Sequence, residues 1–230
     1  MRFAFASLAV ALALPAAALP SHVEAEYRIT SGGMVVARVR ETFIRAGDTY
    51  RIESVTRSEG PLKLLLDDTV TLQSEGRVGP AGLVPLRFEQ RRARDASRDI
   101  HATFDWPASR LRSEYRGEER TESLPAGTQD RLSVMYQFMN LATLANEVSV
   151  PMSNGRKVER YRYRKVDEPR LATPAGDFAT IHFERVPEAP DDSQAQLWLA
   201  KDRYNLPVRV VFMDARGLRL DQQLVSLVTR

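Results

Sequence analysis

Between Arg156 and Lys165 the chain reads Arg-Lys-Val-Glu-Arg-Tyr-Arg-Tyr-Arg-Lys, with arginine at alternate positions 160, 162 and 164. An extended strand sends successive side chains to opposite faces, so Arg160, Arg162 and Arg164 share one face and Tyr161 and Tyr163 the other. A row of guanidinium forks suits the phosphates of envelope lipids or the carboxylates of cell-wall peptides. The plainer reading is a solvated strand whose arginines pair with acids on its neighbours. A second chemistry lies between Asp130 and Ala145, where neither glycine nor proline occurs. There Met135, Phe138 and Met139 are soft, adaptable side chains that suit a pocket for varied apolar tails, and equally suit a core.

Other reactive types are placed less well. The three histidines, His22, His101 and His182, stand far apart, cysteine is absent, and no histidine pair has the i, i+4 spacing of a helical zinc site, so no metal is expected. His101 and His182 fall on the wet side of their expected strands. Asp67-Asp68 and Asp191-Asp192 have the oxygens to chelate calcium, but paired acids in turns more often bind backbone amides. No serine sits in a glycine-flanked elbow. Asp130 and Ser133 fit the start of a helix, with Asp130 accepting first-turn amides. Glu118, Glu119 and Glu122 leave open a carboxylate site for hydrolysis, although a solvated charged loop explains them as well. No cofactor motif is present.

The elements that must position these residues are mostly strands. Residues 1–18 open with Met1 and Arg2, run apolar from Phe3 to Leu14, and end in Pro15-Ala16-Ala17-Ala18. That is the pattern of a cleavable export signal, too short to span a bilayer. With no cysteine near the cleavage position, a lipoprotein anchor is not expected, and the mature chain is expected free in the periplasm. Residues 19–230 are expected to form a single domain. The formal charge of +3 comes from 33 basic and 30 acidic residues, a balance that argues against a nucleic-acid partner.

Turn residues recur at short intervals, as at Ser31-Gly32-Gly33, Ala46-Gly47-Asp48 and Arg116-Gly117. Between them apolar residues alternate, as in Val35, Ala37 and Val39, the period of a half-buried strand. Hairpin-joined antiparallel strands follow, with Asn154-Gly155 expected as a two-residue turn. Asp130–Ala145 is the one expected helix, apolar over more than half its circumference and therefore enclosed. The expected architecture is a mainly β domain: a strongly curved antiparallel sheet, or an open or closed barrel, of about a dozen strands around one α-helix.

Several stretches in order carry a family likeness: Tyr27 with Gly33-x-Val35-x-Ala37, Gly82-Leu83-Val84-Pro85 before Phe88, and Asp130-x-Leu132-Ser133-x-x-Tyr136. Thr173-Pro174-Ala175-Gly176-Asp177-Phe178, Leu197-Trp198-Leu199-Ala200-Lys201-Asp202 and Leu206-Pro207-Val208-Arg209 complete it. In these the chain resembles the exported family called domain of unknown function 3108. The resemblance implies an exported all-β protein, commonly of Gram-negative bacteria, with no established activity and no catalytic residues to carry over. The expected architecture is also similar to that of the periplasmic lipoprotein carriers, whose open barrels shelter acyl chains, a likeness of architecture alone.

The residues therefore favour a non-enzymatic periplasmic binding or carrier module. Its apolar cavity would lie between sheet and helix, and its ligand would be a hydrophobic or anionic envelope molecule. The alternatives are an envelope scaffold that engages a protein partner, and an envelope hydrolase with an unfamiliar carboxylate site.

Overall fold

The computed structural model describes residues 19–60, 63, 68–140, 144–189 and 192–230. Sixteen strands account for most of them: β1 His22–Ser31, β2 Met34–Ala46, β3 Thr49–Ser58, β4 Thr69–Gly79, β5 Gly82–Arg92, β6 Ile100–Asp105, β7 Arg110–Tyr115, β8 Glu118–Ser123, β9 Gln129–Asp130, β10 Glu147–Ser153, β11 Val158–Asp167, β12 Arg170–Thr173, β13 Gly176–Val186, β14 Gln194–Ala200, β15 Leu206–Met213 and β16 Arg219–Thr229. Hydrogen-bonded neighbours run 8-7-6-5-4-3-2-1-16-15-14-13-11-10-9, with β12 paired to β13. Short hairpins make most of this order, because tight turns join antiparallel neighbours. Residues far apart in sequence make the rest. β1 pairs with β16, so first and last strands lie side by side. β9 joins β10 in parallel, a departure from the expected all-antiparallel pattern.

The mainly β class stands, but two finer expectations do not. The pairing path ends at β8 on one side and β9 on the other, so the sheet is open and has sixteen strands rather than a dozen in a barrel. The long enclosed helix is also corrected. Helix α1 is Ser133–Gln137, followed by a 3₁₀ turn at Phe138–Asn140. Residues 141–143 lie outside the described residues, and Leu144 to Asn146 are not helical. The broad apolar character of this segment reflects contact on several sides at once, a demand that burial makes whatever the helix length. Tyr136 stacks on Phe43 of β2 with ring centroids 5.1 Å apart, and Phe138 stacks on Phe183 of β13 at 6.5 Å. One short helix thus ties the N-terminal half of the sheet to the C-terminal half.

The start of that helix follows the sequence closely. Asp130 Oδ1 accepts the Leu132 and Ser133 amides at 2.8 and 2.9 Å, Ser133 Oγ accepts the Asp130 amide at 2.8 Å, and Ser74 Oγ donates to Asp130 Oδ2. This reciprocal box satisfies donors that the first turn leaves without partners. Burial pushes the Asp130 carboxyl upward, against the hydrogen bonds from Ser74, Ser133 and Leu132 that favour its charged form.

The Asn154-Gly155 hairpin differs in detail from the expected turn. Ser153 pairs with Val158, leaving a four-residue loop, and Asn154 Oδ1 accepts the amides of Arg156 and Lys157. Of the two expected positive φ values only that of Gly155 occurs, at 85°.

Candidate functional site

Strand β11 places its side chains as the alternation requires. Arg160, Arg162 and Arg164 point outward and are exposed, while Tyr163 is buried on the inner face and Tyr161 half-buried. Outward, Arg160 Nη1 lies 3.4 Å from Ser149 Oγ, Arg162 Nε lies 3.6 Å from Glu188 Oε1, and Arg164 stands in register with Glu147 and Glu184. The inner face is built differently, by cross-strand rows. Tyr163 is in register with Arg185 of β13, and Ala195 of β14 with Phe212 of β15. Alongside, Phe183 pairs with Leu197, and Leu197 with Val210. Side chains opposite one another in antiparallel strands share a face, so these residues form one floor.

Met135 of α1 and Arg131, just before it, stand over that floor and complete a cleft of about 430 Å³, with Met152 of β10 at its side. This volume is within the roughly 300–1,000 Å³ typical of small-molecule sites. The lining is mainly aliphatic and aromatic, with Asn154, Ser193 and two arginines among it, and Phe212 is an exposed large apolar side chain there. The three apolar candidates therefore separate. Met135 lines the cleft; Phe138 and Met139, 1% and 6% exposed, are packed into the core and do not reach it.

Two arginines face this apolar floor. Arg185 Nη1 donates to Ser193 O at 2.8 Å and Ser193 Oγ at 2.6 Å, and Nη2 lies 3.5 Å from Asp192 Oδ2. Its guanidinium also stacks 4.4 Å from the Tyr161 ring. The Arg185 side chain is 9% exposed, and its Nε–H has no hydrogen-bond acceptor among the described residues. Arg131 makes one long bond, Nη1 to Gln90 Oε1 at 3.4 Å. The protein packed around this guanidinium lowers its pKa, and the charge of Arg92 lowers it further, against an opposing influence of Tyr161. Burial pushes the Tyr163 hydroxyl up to about 12. The Tyr161 hydroxyl, raised by burial and by Glu159, donates to Glu159 Oε2 at 3.2 Å.

Arg131, Arg185 and the two tyrosines were not among the sequence candidates for a pocket. Alternation within β11 was enough to turn Tyr161 and Tyr163 inward. The register that sets Arg185 beside Tyr163 skips over β12 and leaves no local signal.

The remaining candidates do structural work. His182 is buried, contrary to its expected wet position, because the outer face here carries its own apolar cluster of Phe178, Trp198 and Ala200. Its ring stacks on Trp198 at 4.3 Å, and Nδ1 lies 3.0 Å from Asp167 Oδ1. His22 meets Glu24, and His101 is 3.9 Å from Glu89. Asp68 pairs with Arg92 at 3.0 Å, and Asp192 accepts the Glu188 and Ala189 amides, which hold its carboxyl below its ordinary range. Asp67 and Asp191 lie outside the described residues. Glu118, Glu119 and Glu122 belong to strand β8 rather than a loop, and Glu122 Oε2 accepts the Val158 amide at 3.1 Å. Among the described residues no three metal-ligating side chains converge. No described helix is long and apolar enough to cross a membrane.

Among curated proteins none matches this sequence. Three solved structures are similar over 91% of the chain, at low identity. A candidate lipoprotein of Parabacteroides distasonis ATCC 8503 is 12% identical, with a TM-score of 0.40 and 97% of its own length covered. MucB in complex with MucA(peri) is 11% identical, with a TM-score of 0.38 and 50% covered. A candidate exported protein with a YmcC-like fold from Bacteroides fragilis NCTC 9343 is 11% identical, with a TM-score of 0.34 and 96% covered. The family likeness carried by the motifs extends over residues 26–222, where the model of a protein of unknown function, DUF3108, matches, and the chain belongs to that family.

Proposed function

We propose that this protein is an exported, non-enzymatic binding module that holds an apolar ligand in the cleft between α1 and the inner face of β10, β11, β13, β14 and β15. The cleft itself carries the reading: about 430 Å³ walled by Met135, Leu197, Val210 and Phe212, where core packing leaves space. Protein interiors are close-packed, so an apolar hollow of this size beside a short helix is a place to put something. Its buried carboxylates have structural partners instead of facing the cleft: Asp130 holds the helix start, and Asp221 makes two bonds to Arg209 at 2.9 and 2.6 Å. The apolar leader at residues 1–18 supports export and a periplasmic setting.

The test is native mass spectrometry of the gently purified mature protein, with titration of an environment-sensitive apolar dye. Wild type is expected to carry or take up an apolar molecule. Phe212→Asp, at an exposed position, and Met135→Asp are expected to weaken dye binding at least tenfold while the fold persists. A wild-type protein that carries no lipid and binds no dye would end this reading.

A second reading rests on the exposed row Arg160, Arg162 and Arg164, which offers an acidic envelope protein a charged face. Crosslinking in intact cells distinguishes the two: recovery of one protein, lost in Arg162→Glu and retained in Met135→Asp, favours the scaffold.

A further inference from the structure

We infer that the ligand of this cleft is a single-chain anionic amphiphile, its acidic headgroup held by Arg131 and Arg185 and its chain laid along Leu197, Val210 and Phe212. The inference rests on the cleft being a ligand site and adds the charge and shape of what it takes. A buried cation at the wall of a mainly apolar cleft, as Arg185 is, is costly unless something offsets its lost hydration. The protein offsets only part of that cost. Arg185 is nine-tenths buried: its Nη groups meet Ser193 and Asp192, but its Nε–H is unmatched, while Arg131, exposed at the rim, makes one long bond, at 3.4 Å.

The nearby acids are already engaged. Glu159 meets Lys157 at 2.6 Å and accepts the Tyr161 hydroxyl. Asp192 lies 3.5 Å from Arg185 Nη2 and also accepts two backbone amides, whereas Arg131 has no carboxylate within ion-pair distance among the described residues. Positive charge is therefore left over where the cleft meets its polar wall. A carboxylate or phosphate fits it, because a guanidinium presents several N–H donors in one plane and such bonds to an oxyanion are the stronger kind. The Tyr161 ring lies 4.4 Å from the Arg185 guanidinium and supports it from one face. The aliphatic and phenyl part of the lining offers no donor of this kind: Ala195, Leu197, Val210 and Phe212 are all apolar. A molecule charged at one end and apolar along the rest matches both.

The experiment compares decanoate, decyl phosphate and decanol, each below its aggregation concentration, by displacement of the apolar dye from the full mature chain. The two anions are expected to bind at least tenfold tighter than decanol. Arg131→Gln and Arg185→Gln are each expected to weaken the anions roughly tenfold and leave decanol unchanged. Arg131→Gln is the safeguard against misfolding, since that side chain is open to solvent, and circular dichroism of both variants checks the fold. Preference for decanoate over decyl phosphate, or the reverse, identifies a carboxylate or a phosphate source. Equal affinity for decanol and the anions, or folded variants that bind the anions as wild type does, overturns the inference and leaves the apolar cleft intact. Failure of all three to displace bound dye overturns the inference too, while dye uptake by itself still upholds the cleft. Without dye uptake, the binding-module reading falls as well.

Discussion

Asp130 shows how one side chain can settle a local structure. Its carboxylate takes the Leu132 and Ser133 amides and the Ser74 hydroxyl, so replacing it by alanine strands three buried donors. Asp130→Ala is expected to cost about 2–4 kcal/mol, measured as a lower urea midpoint, because unmet buried donors are paid for in full. Glu41, on the inner face of β2, is a different case. Ser54 and Tyr136 donate to it, yet burial outweighs those bonds and raises its carboxyl to about 7. A carboxyl raised in the folded state favours folding while protonated. That contribution is full below its unfolded value near 4.5 and is lost as pH rises through about 7. Wild type is expected to lose about 3 kcal/mol of stability from this group between pH 4.5 and 8. Glu41→Gln should flatten that part of the profile in denaturation series at the two pH values. The role of Asp130 could be read from Asp-x-x-Ser ahead of an apolar run. That of Glu41 could not, since nothing local in the sequence announces a carboxyl enclosed by residues from β3 and α1.

Among the elements, the strands were the most legible, because period-two alternation and turn residues are local properties. The two faces of β11 followed from alternation alone, which correctly sent the arginine row outward. The helix was overestimated because a segment buried between two halves of a sheet is apolar all round, and helical periodicity cannot fix its length. The cleft was half visible: Met135 belongs to it, but Arg185 arrives through a register that skips a strand. The β10–β11 hairpin gives an element-scale prediction. A Cβ added to Gly155 would lie 2.6 Å from Ile100 Cγ2 and 3.0 Å from a Phe88 ring carbon, at a φ that side chains rarely adopt. Gly155→Ala is therefore expected to lower stability by about 1–3 kcal/mol. Thermal melts that superimpose on wild type would refute that seating of the hairpin.

At the scale of the whole molecule, sixteen strands share one open sheet whose outermost member on one side is β8. An unpaired edge invites other chains to add to it, and charged side chains are a common defence. β8 carries Glu118, Glu119, Arg120 and Glu122, nearly all exposed. Replacing Glu119 and Arg120 together by valine is expected to promote self-association, seen as larger species in size-exclusion chromatography with little change in monomer secondary structure. The pairing of β1 with β16, sealed where Ser21 and His22 donate to Arg230 O, has another consequence. Synthesis proceeds from one end to the other, so the earliest strand must wait for the latest before its second edge is satisfied. A chain cut short before Arg219 would bare two edges at once. A circularly permuted chain, with Leu19 stitched to Arg230 and new ends opened at Ala126-Gly127, between the mutually unpaired strands β8 and β9, would remove the wait.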